Sequence, residues 1–299
     1  QNNLKLQPPY LVELAENAPL IQNVEHYADI VKNQFFIRKV ITACQDTIQK
    51  AYSTVTPAKE FVEVIEKEFL SITNQQDNNG LISASDVLEM AIADIEERIQ
   101  QQGDVTGVPT LFTELDLVTA GWQKSDLIIL AARPGMGKTA LALNFGLNAA
   151  KAGRHVAVFT LEMSNVQLMQ RLLSSESRVD SSRLRRGDLS DEEQDRLVHG
   201  ARTIANIKDS MRIDETPGIS LSELRSRCRR FHKEKGLDLI IIDYLQLMTS
   251  VTSYDSRERE ISEISSGLKN LAKELSVPVI ALAQLNRRAD TRPDKRPMI

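Results

Sequence analysis

The densest run of chemically capable residues is Ala132-Arg133-Pro134-Gly135-Met136-Gly137-Lys138-Thr139. It follows the apolar stretch Leu127–Ala131 and precedes a segment of helical period. It fits the phosphate-loop pattern G-x-x-x-x-G-K-[ST] at every fixed position except the first, where Ala132 stands in place of Gly. Gly135 and Gly137 let the backbone wrap a phosphate so that successive N–H groups donate to its oxygens. A helix opening near Lys138 adds the positive end of its dipole. Lys138 can reach the β- and γ-phosphates, and the Thr139 hydroxyl can sit on Mg²⁺. Ala is the smallest residue after Gly, so the loop survives if position 132 needs no positive φ. Residues Ala132 to Ala140 are therefore expected to bind ATP. The motif is silent about what hydrolysis would drive.

Three further positions extend this chemistry. Leu239-Ile240-Ile241-Ile242-Asp243 reads as a buried strand ending in a carboxylate, which either supports the Mg²⁺ shell or merely starts a turn. Glu162 closes the run Val156–Leu161. In a parallel sheet it emerges beside the phosphate loop, as a base that orients and deprotonates water or as a helix N-terminal charge near Ser164. Gln284 ends the strand Val277–Ala283 and is either an amide that senses the γ-phosphate or a solvated side chain. Directly after it come Arg287, Arg288, Arg292, Lys295 and Arg296, offset only by Asp290 and Asp294. A basic loop there is placed to couple phosphate state to a nucleic-acid backbone. A second basic group, Arg225, Arg227, Arg229, Arg230, Lys233 and Lys235, covers much of a helix circumference and reads first as a solvated face or a subunit contact.

These residues need a scaffold. From about residue 107, short apolar runs (127–131, 156–161, 239–242, 277–283) alternate with helix-period segments (138–151, 165–177, 190–205, 220–235, 257–275). This is the pattern of an α/β domain with a parallel sheet covered on both faces, whose ligands bind at the carboxyl ends of the strands. Ahead of it, 23–52 reads as a long helix, and a second helix runs from Pro57 to about Ser71, making a hairpin. Asn74–Gly80 is a polar linker. Ser85 can then cap an amphipathic helix through Gln101, whose stripe (Val87, Leu88, Ala91, Ile95, Ile99) packs either on its own chain or on an adjacent subunit. The expected organisation is a helical hairpin over 1–73, a linker with its helix over 74–106 and an ATPase domain over 107–299.

Composition narrows the class. The 299 residues are 41% hydrophobic and 26% charged, which suits a globular chain rather than a disordered or fibrous one. No apolar run reaches bilayer length and no signal-peptide pattern is present. The two cysteines, Cys44 and Cys228, and four scattered histidines exclude a disulfide scaffold or zinc cluster and fit a reducing cytosol. Residues 1–100 hold 8 Lys and Arg against 15 Asp and Glu, whereas the remainder has a net charge of +3, suggesting two modules with different partners. Gln1 and the stop at Ile299 both read as cuts.

The blocks Leu127–Thr139, Thr160-Leu161-Glu162-Met163, Ile241–Met248, Ala283–Arg287, Gly107–Thr110 and Arg292–Pro297 together resemble the bacterial replicative DNA helicases of the DnaB family. Residues 9–72 resemble the end of that family's helical N-terminal domain, and 83–101 its linker helix. The resemblance implies a RecA-like ATPase domain in a hexameric ring, with ATP at subunit interfaces and single-stranded DNA in the channel. It implies 5′-to-3′ movement at a replication fork in the bacterial cytoplasm, associated with the nucleoid, with primase and a helicase loader as partners. By the same likeness Lys138 and Thr139 bind phosphate and Mg²⁺, and Asp243 supports the metal. Glu162 is then the catalytic base and Gln284 the coupling sensor, and helix 85–101 docks on the neighbouring subunit. The family commonly has Ser where this chain has Gly135, and its main DNA loop and arginine finger lie in later strands. A RecA-type recombinase and a non-catalytic assembly scaffold are the competing readings; the hairpin and linker helix speak against the first, Glu162 against the second.

Overall fold

The computed structural model describes residues 24–53, 61–62, 64–65, 68–69, 72, 83–100, 105–249 and 256–285. The chain divides into two compact units, Gln1–Val87 and Leu88–Ile299. In the first, α1 (Val24–Ser53) coincides with the expected long helix. Of the expected second helix, residues 61–62, 64–65, 68–69 and 72 are helical, and Lys50 donates to Glu68 at 2.8 Å between the two helical segments. The remainder of that helix and the 74–80 linker lie outside the described residues. In α2 (Ala84–Gln100) the cap is Ser83 rather than Ser85: its hydroxyl accepts the Asp86 N–H at 3.2 Å, and Ser85 falls within the first turn. The α2 stripe stays open to solvent, with Val87, Leu88, Ile95 and Ile99 between 50% and 71% exposed. Packing on its own chain is therefore not observed among the described residues.

The second unit takes in α2 from Leu88 and then runs α3 (Thr113–Thr119), β1 (Leu127–Ala132), α4 (Lys138–Lys151), β2 (Val156–Thr160), α5 (Asn165–Ser177), α6 (Ser181–Arg186) and α7 (Asp191–Asn206). It continues through β3 (Met211–Asp214), α8 (Leu221–Lys235), β4 (Leu239–Asp243), α9 (Arg257–Leu275) and β5 (Val279–Gln284). The strands form one parallel sheet in the order β1-β5-β4-β2-β3. All five positions of β2 and of β4 are buried, which is why these strands read as unbroken apolar runs. Alternation sends Phe159, Ile240 and Ile242 into a layer with Leu224 of α8 and Leu268 of α9. It sends Val158, Leu239 and Ile241 into the opposite layer with Leu147 of α4 and Leu172 of α5. Each such side chain contributes about 1.5–3 kcal/mol by leaving water.

Three helices are started by reciprocal caps: Ser164 with Gln167, Ser190 with Glu193 and Ser220 with Glu223. The entry segment is fixed by close backbone approach. A Cβ on Gly107 would lie 2.4 Å from the Trp122 carbonyl oxygen, so no larger residue fits. Asp116 accepts the N–H groups of Thr110 and Leu111 at 3.0 and 2.9 Å. The Asn148 side chain donates to the Thr110 carbonyl at 2.8 Å, tying this segment to α4.

The differences from the sequence reading have local causes. β3 was not foreseen because it is four residues long, pairs on one flank only and alternates Met211 and Ile213 with Arg212 and Asp214. The short helices α3 and α6 carry too few turns to show a period. β5 starts at Val279 rather than Val277, since Pro278 has no N–H for a ladder; its carbonyl accepts from Ile240 at 3.1 Å.

Candidate active site

The carboxyl ends of β1, β2, β4 and β5 open on one edge of the sheet. β1 leads into the phosphate loop, where a 3.3 Å bond from the Met136 N–H to the Arg133 carbonyl tightens the turn. Gly135 and Gly137 have φ of +78° and +85°, and a Cβ at either would meet nothing within 4 Å. The glycines are thus required by backbone conformation, not by room. Ala132 ends β1 as extended strand opposite Gln284, so its replacement of Gly carries no strain. Gly137 precedes α4, whose first residues are Lys138 and Thr139.

Lys138 extends toward the end of β4. Its Nζ lies 4.0 Å from Asp243 Oδ1, with side chains only 12% and 6% exposed, and 4.6 Å from the centre of the Tyr244 ring. Burial lowers the Lys138 pKa, with the charges of Asp243 and Glu162 opposing that shift. Burial raises the Asp243 carboxyl, against the pull of the Thr139 hydroxyl and Lys138. Asp243 Oδ1 is a buried oxygen with no hydrogen-bond partner. A solvent-shielded carboxylate with an unused lone pair beside a hydroxyl is a donor set for a small hard cation completed by phosphate oxygens and water. No cluster of three or more His, Cys, Asp or Glu that could hold a metal alone exists among the described residues.

A cavity of about 350 Å³ lies over the loop. Its walls include Ala132, Arg133, Pro134, Gly135, Gly137, Lys138, Thr139 and Ala140, together with Glu162 and Gln284. Of the expected loop residues only Met136 is not in the wall; its side chain is 73% exposed. The structure thus brings together Lys138, Thr139, Glu162 and Gln284 around one volume, with Asp243 behind Lys138. The basic residues Arg287, Arg288, Arg292, Lys295 and Arg296 lie outside the described residues.

Several supporting residues were not singled out from sequence. Met163 and Arg171 also line the cavity. Thr160, 1% exposed, spans the Glu162 turn: its hydroxyl donates to the Met163 carbonyl at 2.8 Å and accepts the Met163 N–H at 3.3 Å. Glu215, after β3, accepts the Asn165 N–H at 2.6 Å at the start of α5. A hydroxyl two residues before a strand-end carboxylate was the available signal for Thr160; Glu215 and Arg171 had none.

The basic face of α8 is partly an internal network. Arg225 and Arg229 pair with Glu274 of α9. Arg227 pairs with Asp214 and donates to the Thr216 hydroxyl at 2.6 Å. Only Arg230, Lys233 and Lys235 remain the exposed face that was expected. Burial pushes the Cys228 thiol far up, so it stays protonated and inert.

Comparison with known proteins gives this geometry a context. Residues 107–299 match the family model of the DnaB-like helicase C-terminal domain. The chain is 42% identical over 292 residues to the replicative DNA helicase DnaC of Bacillus subtilis, covering 97% of this chain and 64% of that protein. It is 43% identical over 296 residues to the replicative DNA helicase DnaB of Pasteurella multocida, covering 97% and 63%. It therefore spans somewhat less than two thirds of these relatives. One solved ATPase domain superposes with a TM-score of 0.66 at 36% identity, covering 71% of this chain and 76% of that one. A DnaB-like replicative helicase, solved with attention to its interactions with primase, superposes with a TM-score of 0.72 at 31% identity, covering 97% and 67%. With its parallel sheet, phosphate loop and strand-end carboxylates, the chain belongs to the DnaB-like helicase family and carries that family's RecA-like ATPase domain.

Proposed function

We propose that this chain is the motor portion of a hexameric replicative helicase, which hydrolyses ATP to move 5′ to 3′ along single-stranded DNA and open duplex at a replication fork. The observation that carries this reading is the convergence of Lys138, Thr139, Glu162 and Gln284 on one cavity, with the buried Asp243 Oδ1 4.0 Å from Lys138. Loop N–H groups and Lys138 hold the β- and γ-phosphates. Thr139 and Asp243 are the residues that would hold Mg²⁺, a fit supported by the orphaned oxygen; when bound, the ion draws negative charge from the phosphates. Glu162 orients the attacking water and takes its proton, a role worth about 10²–10⁴-fold in rate. The Gln284 amide contacts the γ-phosphate and registers its loss.

In this reading residues 1–73 close a helical N-terminal domain and 74–106 form the linker. The open stripe of α2 docks on the next subunit, and Arg287, Arg288, Arg292, Lys295 and Arg296 grip DNA phosphates. Primase and a helicase loader are the partners. The setting is the bacterial cytoplasm, at the nucleoid. No described helix is long and apolar enough to cross a membrane. Opening one base-pair step costs about 1.4 kcal/mol in stacking, so advance and hydrolysis must be coupled.

The test is unwinding of 5′-tailed and 3′-tailed forks by the full-length protein, with Lys138→Ala as blank. ATP-dependent opening of the 5′-tailed fork alone is expected. Glu162→Gln should lose about 10²–10⁴-fold in turnover while still binding nucleotide. Opening of neither fork with hydrolysis intact would overturn the unwinding assignment. Undiminished turnover by Glu162→Gln would remove that residue from the base role.

A further inference from the structure

β5 runs past its neighbour. On one flank it pairs with β1 as far as Gln284, and the Leu285 N–H continues to the Ala132 carbonyl at 3.1 Å. On the other flank its ladder with β4 ends at Ile242 and Ala281. In a strand, the N–H and C=O of one residue point to the same side. Those of Gln284 point toward the place that β4 has vacated. The Gln246 side chain fills it. Its Oε1 accepts the Gln284 N–H at 3.3 Å and its Nε2 donates to the Gln284 carbonyl at 3.4 Å. A carboxamide carries the same donor and acceptor as a peptide group, so one side chain substitutes for one strand residue.

Gln246 is itself held. It lies in the short turn Leu245–Leu247 that follows Asp243. Arg257, the first residue of α9, donates to the Gln246 carbonyl at 2.6 Å and to the Met248 carbonyl at 3.3 Å. Glu260, one turn along α9, pairs with the same guanidinium. An unbroken series of polar contacts therefore joins the cavity wall at Gln284 to the first turn of α9 through the segment after Asp243.

We propose that Gln246 is a positioning residue for nucleotide sensing, with Arg257 as its anchor. Gln246 fixes the backbone of Gln284 so that its amide faces the phosphate cavity, and Arg257 relays a shift at Gln284 to α9. This rests on the reading of Gln284 as the γ-phosphate sensor. The geometry that favours it is directional: both bonds from Gln246 go to the backbone of Gln284, leaving its side chain available to the cavity that it lines.

The experiment measures steady-state ATP turnover by the full-length protein, with and without oligo(dT). The variants are Gln246→Met, Gln246→Glu, Arg257→Met, Gln284→Ala and the double variant Gln246→Met/Gln284→Ala. Met keeps the volume of Gln and removes both bonds; Glu keeps the acceptor and loses the donor. Gln246→Met should lose about 10-fold or more in kcat, with the KM for ATP within about twofold of wild type. Gln246→Glu should fall between the two, Arg257→Met should lose most of the DNA stimulation, and the double variant should match Gln284→Ala. If Gln246→Met does not fold, Gln246→Glu and Arg257→Met decide by the same criteria. Normal kcat in Gln246→Met beside a crippled Gln284→Ala overturns the positioning role and leaves the sensor standing. Additive losses in the double variant overturn action through Gln284. Normal turnover by Gln284→Ala overturns the sensor reading and this inference with it.

Discussion

Thr160→Val isolates a single hydroxyl beneath the Glu162 turn. The two side chains are nearly the same shape, and position 160 is 1% exposed, so the change removes polarity without opening a void. Two hydrogen bonds disappear, at 2.8 and 3.3 Å, both to the backbone of Met163. A net value of about 0.5–1.5 kcal/mol per bond sets the loss at about 1–3 kcal/mol. Met163 is only partly buried, so water can reach its freed groups and the lower half of that range applies. For a domain of this size the expected fall in Tm is about 2–8 °C. The larger effect is on rate. Glu162 sits inside the turn that the hydroxyl closes, and a misplacement of about 1 Å costs up to about 10²-fold. Turnover should therefore fall by about 10- to 100-fold with the KM for ATP little changed, and Thr160→Ser, which keeps the hydroxyl, should recover most of it. The assay is kcat and KM beside a thermal melt. A Tm lowered as expected with kcat intact would refute the reasoning, since the hydroxyl would then stabilise the turn without aiming the carboxylate.

Other outcomes follow from single features of the structure. Gly137→Ala places a Cβ in open space but asks Ala to hold φ +85°, a cost of about 1–2 kcal/mol; titration with a fluorescent ATP analogue should show about tenfold weaker binding, and unchanged affinity would mean the loop rearranges without penalty. Asp214 tests the α8 network. Burial alone would raise its carboxyl, but hydrogen bonds from Thr216 and Arg227 outweigh that and hold it below the ordinary 3.8. A folded pKa below the unfolded one means the stabilisation is present above about pH 4 and fades as pH falls through the folded value. Asp214→Asn should therefore melt lower than wild type near neutral pH, with the gap narrowing as the pH falls below about 4; a gap that does not narrow in acid would assign the effect to packing.

What could be read from sequence divides along a physical line. The central strands β2 and β4 were legible because both their faces are buried, which forces continuous apolar runs. α5, α7 and α8 were legible from helical period; the Ser with an acid or amide three residues on that starts each is a local device the structure adds. Glu162, Asp243 and Gln284 were legible as strand ends, since a parallel sheet sends its carboxyl ends to one side; the structure brings them to one rim, and their chemical roles are those proposed above. The half-polar edge strand β3 left no such pattern. The Gln246 brace joins residues 38 positions apart, and the Glu215 contact with α5 joins residues 50 apart. No spacing rule links partners at that separation. Ser85 was read as the cap, yet Ser83 satisfies the same local pattern. Only the backbone decides which one stands outside the first turn.

The pairing of β1 with β5 has a consequence for how the molecule is made. Among the described residues, its ladder partner is β5, with β2, β3 and β4 all intervening in sequence. Contacts that close such long loops form late, because chain entropy is lost before any ladder bond is gained. During synthesis, which proceeds from the N-terminus, β1 leaves the ribosome long before its partner exists. The strand that carries the phosphate loop waits for this partner until β2, β3 and β4 have all been translated. A nucleotide bound over the loop can then hold the β1–β5 pair by mass action, favouring it over nascent chains that still lack β5.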